Sequence, residues 1–222
     1  ESSPVAEEKT DATPAANFLA GLEATLEHVR RVYRKLDSGF YLWGEGCHER
    51  FARFIDVHQG HGEEYTWQIG ISTPEQFLFT YPDAIVTGHA KTGVQGLCYA
   101  HAQGKPFDVN IRNLAEPGFG ELLKRFVAVR AAEPAYFLDG VFRDDADLTL
   151  IGRDVRAFGL HRRDGAGLLV NLWRPGAGAE QESIAQLKHP RQGWAIRAVD
   201  PAGTDIKQDG EWRFGMIEEL PG

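Results

Sequence analysis

The chain has 222 residues, 42% hydrophobic and 11% aromatic, enough apolar material for one large domain or two small ones. A formal net charge of -8 excludes unspecific nucleic-acid binding, which needs a basic surface to meet the phosphates. No apolar run approaches the roughly 18 residues of a membrane-spanning helix, so the sequence reads as a soluble globular protein whose compartment is open.

Residues 1–12 are polar and proline-bearing, and read as an exposed, cleavable or disordered loop. The chain begins at Glu1 without an initiating methionine, which cleavage within this loop, a removed signal peptide or a trimmed chain would each explain. Thr13-Pro14 is a helix start, a capping hydroxyl followed by proline at the first helical position. From there Ala15, Phe18, Leu22, Leu26, Val29, Tyr33 and Leu36 recur at helical steps, which predicts a long amphipathic helix packing on one face. Asp37-Ser38-Gly39 ends it.

Phe40-Tyr41-Leu42-Trp43 then predicts a fully buried strand, closed by Glu45 between two glycines. Side chains alternate along a strand, so Tyr41, Trp43 and Glu45 share one face. Residues 47–57 read as a short helix and 59–64 as a loop, with strands over 65–71, 77–86 and 107–111, the second of these interrupted by Pro82. Val94, Leu97, Cys98 and His101 suggest a helix ending at Gly104, and 119–132 another. Strands alternating with helices predict parallel pairing, and four βα units fit into residues 40–132.

Past Phe142 the period changes to two. Short strands are expected at 155–160, 168–173, 194–199 and 212–217, with Asp164-Gly165 and Asp209-Gly210 as hairpin turns. An antiparallel sandwich over 143–222 is the economical reading.

A carboxylate at the carboxyl end of a buried strand is where an α/β barrel keeps its chemistry, which makes Glu45 a candidate acid; a helix-capping role fits the stretch equally well. Apolar neighbours led by Trp43 would desolvate it, and the indole is suited either to stacking on a sugar ring or to the core. Tyr81 and Asp83 flank a proline that interrupts a predicted strand, where a mouth loop would be. His89 follows Thr87-Gly88 near the same rim, and His48 closely follows the glutamate. These four join Trp43 as candidate substrate-binding residues. His58 and His61 have no third ligand at a metal-type spacing and read as solvated loop residues, so no metal site is expected. Cys47 and Cys98 leave a disulfide open. Gly88, Gly93 and Gly96 form no phosphate-binding fingerprint, there is no serine-nucleophile elbow, and no cofactor is expected.

Leu-Trp-Gly-Glu-Gly-Cys-His-Glu-Arg-Phe at 42–51, Phe-Leu-Phe-Thr-Tyr-Pro-Asp at 77–83, and Val-Arg-Ala-Ala-Glu-Pro-Ala-Tyr-Phe-Leu-Asp-Gly-Val-Phe-Arg-Asp at 129–144 carry a resemblance. In that order they resemble the C-terminal part of bacterial glycoside-hydrolase-like barrels, the α-glycosidases of the amylase, α-galactosidase and endo-α-N-acetylgalactosaminidase type. The resemblance implies α/β plus all-β architecture: strands five to eight of a (β/α)8 barrel in 13–142, then a β-sandwich in 143–222. It implies that Glu45, ending the fifth strand, is the general acid/base, while the nucleophile ends a fourth strand outside this chain. Half a barrel leaves strand edges unpaired, so the expected partner is a chain carrying the N-terminal half, a separate subunit or a cleavage product, in a heterodimer that cleaves carbohydrate. The alternative is a noncatalytic carbohydrate-binding or assembly subunit.

Overall fold

The computed structural model describes residues 14–60, 73–89, 93–145, 148–151, 156–173, 184–187, 194–197 and 215–219. Helix α1 spans Pro14–Leu36, as the cap and period predict, but none of its residues is buried and Phe18 and Leu36 are 70% and 77% exposed. Ion pairs hold it to the chain that follows. Arg30 and Arg34 both lie 2.7 Å from Asp56, Arg50 lies 2.7 Å from Glu23, and Tyr33 stacks on Phe40.

Four described strands form a parallel sheet in chain order: β1 (Trp43–Glu45), β2 (Val57–Gly60), β3 (Ile85–His89) and β4 (Phe107–Asp108). Two expectations change here. The helix over 47–57 is instead a 3-10 turn, Glu49–Phe51, leading into β2, whose Val-His-Gln-Gly sequence lacks the β-branched alternation of a strand. Neighbours on both sides impose it, Val57 pairing with Trp43 and with Ile85. The strand over 77–86 divides into helix α2 (Thr73–Thr80) and β3, because Phe77 and Tyr81 stand one helical turn apart and Pro82 cannot continue the helix. The strand expected over 65–71 lies outside the described residues.

Helices α3 (Val94–Ala102) and α4 (Phe119–Ala132) fall where predicted, with α5 (Pro134–Phe137) after them. Alternation gives the parallel sheet two unlike faces. His58 and Val86 point to the covered face, 0% and 1% exposed, His58 against Phe77 of α2. Gly88 permits the closest approach, since a Cβ there would lie 2.4 Å from the Cβ of Ala100 in α3. On the other face Trp43 and Ile85 are 55% and 48% exposed, so the fully buried strand read from 40–43 does not form.

The antiparallel part comprises β5 (Val141–Asp144), β6 (Leu148–Ile151), β7 (Arg156–His161), β8 (Gly167–Trp173), β9 (Ile184–Leu187), β10 (Trp194–Arg197) and β11 (Gly215–Glu219). Among the described residues they make a five-stranded sheet, β10-β11-β8-β7-β5, and the pair β6-β9. The β7-β8 hairpin turns at Asp164-Gly165, with Gly165 at φ 77 and Asp164 accepting from the Ala166 amide at 2.9 Å. The second hairpin, at Asp209-Gly210, lies outside the described residues. One core cluster joins Phe77, Val86 and Tyr99 to Phe142, Phe158, Leu169 and Trp173, so α2 and α3 lie between the parallel and antiparallel sheets.

Candidate functional site

Parallel register places Glu45 beside Gln59 and Gln59 beside Thr87, and one alternation further His89 stands beside Asp108. Partners in parallel strands project to the same side, so Glu45, Gln59, Thr87 and Asp108 line the carboxyl ends of the four strands on the open face. Trp43, Val57 and Ile85 form the apolar row beneath them, toward the amino ends.

Backbone geometry supports this row. A Cβ at Gly44 would lie 2.4 Å from Ile55 Cδ1 and 3.2 Å from its Cγ2, so any larger residue there must displace the Ile55 side chain. Gly46, at φ 81, turns the chain after Glu45 and donates its amide to the Gln59 carbonyl at 2.9 Å. Gln59 Nε2 donates to Asp108 Oδ2 at 2.6 Å, reaching from β2 to β4 across β3. Thr87 is the β3 residue in register with Gln59, and His89 the one in register with Asp108. Thr87 is 7% exposed, and its hydroxyl has no hydrogen-bond partner among the described residues.

The structure brings Trp43 and Glu45 together on one face, both exposed, so the desolvation expected for the carboxylate is absent. His89 ends β3 in register with Asp108; its side chain lies outside the described residues. His48 is an exposed residue leading the 3-10 turn, edge-on to Phe51 at 6.1 Å. Tyr81 and Asp83 fall elsewhere. A mouth-loop role requires a strand that ends at Pro82, whereas β3 begins after it, at the amino end of the sheet. Tyr81 packs on Phe77 at 4.8 Å, and Asp83 pairs with Arg163 of the β7-β8 hairpin at 2.8 Å. His58 is no solvated loop residue but a buried side chain of β2, its Nδ1 3.4 Å from the Gly46 carbonyl, and burial pushes its pKa down. His61 lies outside the described residues. Cys47 and Cys98 are free thiols.

Sequence reasoning missed Gln59, Thr87 and Asp108. Asp108 ends β4 in the structure, but a strand read over 107–111 leaves it inside the run, and Gln59 was hidden by the unrecognised β2. A separate cavity of about 350 Å3 lies between α2 and β5, lined by Glu75, Phe79, Thr80, Arg143 and Asp144. Burial, chiefly, and the nearby Glu75 push the Asp144 carboxyl up to about 6.

No protein-family model matches the sequence, and no curated protein matches it. A solved structure of a GH36 alpha-galactosidase from Geobacillus stearothermophilus, in complex with 1-deoxygalactonojirimycin, is similar over 78% of this chain at 14% identity and a TM-score of 0.42. The chain spans 30% of the length of that protein.

Proposed function

We propose that this chain is the C-terminal half of a (β/α)8 barrel, strands five to eight, followed by a β-sandwich, and that it supplies the acid/base side of a glycoside hydrolase. The observation that carries the reading is the polar row Glu45, Gln59, Thr87 and Asp108 at the carboxyl ends of four parallel strands in chain order. Parallel sheets are normally covered on both faces, and this one has an open face bearing Trp43 and Ile85. Four further strands would close that face into a barrel interior.

In such an assembly Glu45 delivers a proton to the leaving glycosidic oxygen, and a carboxylate from the missing half attacks or activates water. Trp43, two residues before Glu45 on the same face, offers a platform for a sugar ring. The partner is a chain carrying the N-terminal half. Turnover of aryl α-glycosides by the complete assembly is the test. Glu45→Gln should abolish hydrolysis of poor leaving groups while sparing binding, and undiminished hydrolysis removes Glu45 from the mechanism. A compact, cooperatively melting monomer of the isolated chain would contradict the half-barrel. The exposed indole beside hydrogen-bonding groups also suits a noncatalytic carbohydrate-binding subunit, which predicts binding without turnover even in the complete assembly.

A further inference from the structure

We propose that Asp144 is a proton-operated latch between the helices covering the parallel sheet and the antiparallel sheet: protonated, it lets β5 close on α2, and ionised, it parts them beside Glu75. The latch involves neither the open sheet face nor Glu45, so it stands or falls apart from the acid/base reading.

The first observation is how the backbone holds this residue. In β5, Phe142 pairs with Leu160 and Asp144 with Gly159, which leaves Arg143 as the extra residue of a bulge. Bulges bend a strand and re-aim a side chain. Asp144 stands at φ 51, a left-handed conformation that aspartate tolerates better than most residues. Gly159 leaves room for it, since a Cβ there would lie 3.2 Å from the Asp144 carbonyl oxygen.

The second is what the residue faces. Half-buried, it lines the cavity between α2 and β5 together with Glu75, whose side chain is wholly buried. Arg156 of β7 lies 2.9 Å from Glu75 and also bonds to the Tyr99 hydroxyl, so its charge is already engaged. On the same wall Asp145 adds a further carboxylate, and the exposed Arg143 holds its guanidinium over Phe79 at 5.7 Å. A further cation, Lys105, is buried after α3 and feels the Asp144 charge.

Repulsion and burial win this balance. Burial first, then Glu75 and Asp145, raise the Asp144 carboxyl from 3.8 to about 6 against the pull of Arg156. A proton that the closed seam holds and an open, hydrated one releases makes closure follow acidity. His58, packed on Phe77 of the same helix, works with the opposite sign, because burial disfavours its protonated form. The wild type is therefore compared, at each pH, with a variant that differs only in the latch.

Asp144→Asn is that variant, neutral at every pH and suited to the same left-handed backbone. Asp144→Gly, which this backbone also accepts, replaces it if the asparagine protein does not fold. Amide exchange read by mass spectrometry, on the protein in the assembly it forms in solution, follows the peptides carrying α2 and β5, with α4 as internal reference. At pH 4.5 the wild type and the variant should exchange alike. At pH 6.5 the wild type should exchange about tenfold faster over α2 and β5, and alike over α4. Both values lie below about 7, where Lys105 releases its proton. Asp145→Asn should keep most of the wild-type difference. Equal exchange at both pH values, an excess independent of pH, or an excess shared by α4 overturns the latch.

Discussion

Glu75 of α2 and Arg156 of β7 meet at 2.9 Å with the glutamate side chain wholly buried. The Gln103 amide donates to the same carboxylate at 3.0 Å, the Tyr99 hydroxyl also bonds to it, and Arg156 reaches that hydroxyl at 3.0 Å. This network joins the helices that cover the parallel sheet to the antiparallel sheet, across the core shared by both.

Removing one partner of a buried pair leaves the other charge uncompensated. Glu75→Ala should therefore cost about 3–5 kcal/mol, and Glu75→Gln, which keeps two hydrogen-bonding atoms, less. Urea titration of the complete assembly, followed by tryptophan fluorescence and by far-ultraviolet dichroism, should give coincident transitions in the wild type. Transitions that separate in Glu75→Ala would mark this pair as the coupling between the two layers.

Lys105, after α3, is fully buried, and desolvation pulls its pKa down to about 7. Arg156 pushes in the same direction, and Cys47 and Asp144 oppose it. Between pH 7 and 10.5 the unfolded chain holds a proton that the folded chain has released, so stability rises with pH across that window. The Cys47 thiol, raised by burial from 9.0 to about 11, reverses part of the trend above pH 9. Chemical denaturation at pH 7, 8 and 9 should give increasing stability, up to about 2 kcal/mol in total. Lys105→Met should flatten the rise; an unchanged slope would assign it to another group.

Helices α1, α3 and α4 were legible because their apolar period is local. Gly165 and Asp164 likewise announce the β7-β8 turn by themselves. Strand β2 was not legible, since Val57-His58-Gln59-Gly60 becomes a strand only through pairing with β1 and β3. The same limit hid the site. Glu45 could be read as the end of a strand, but its row with Gln59, Thr87 and Asp108 depends on register between segments far apart in sequence. The apolar run at 40–43 suggested burial, and composition alone cannot tell an interior face from one left open.

His101 stacks on Phe126 with centroids 3.8 Å apart and planes at 1°, and Arg130 Nε donates toward its Nδ1 at 3.4 Å. Burial first, then Arg130 and Arg125, pull its pKa from 6.5 to about 3. Its contribution to stability is fully present above pH 6.5 and is lost as pH falls from there toward 3, because only the unfolded chain takes up the proton. Asp144 works the other way between its ordinary 3.8 and about 6, where the folded chain holds the extra proton. His101→Phe should remove the acid-side loss and leave the Asp144 trend. Melting temperatures from pH 7 to 4 in the two proteins should diverge progressively, and parallel curves would contradict the neutral, stacked imidazole.

Gly88 ties the covered face to the open one, because it follows Thr87 directly and packs against α3. A Cβ at this position would sit 2.4 Å from the Ala100 Cβ and 3.1 Å from its Cα, distances that require β3 and α3 to separate. Gly88→Ala should therefore destabilise by about 1–3 kcal/mol. Ala100→Gly alone should cost about 1 kcal/mol through helix propensity. Combining them puts the methyl group on the strand instead of the helix, so the double variant should be more stable than the sum of the single changes predicts. A double-mutant cycle by urea denaturation measures that coupling, and additive effects would mean that the strand and helix do not press on each other at this point.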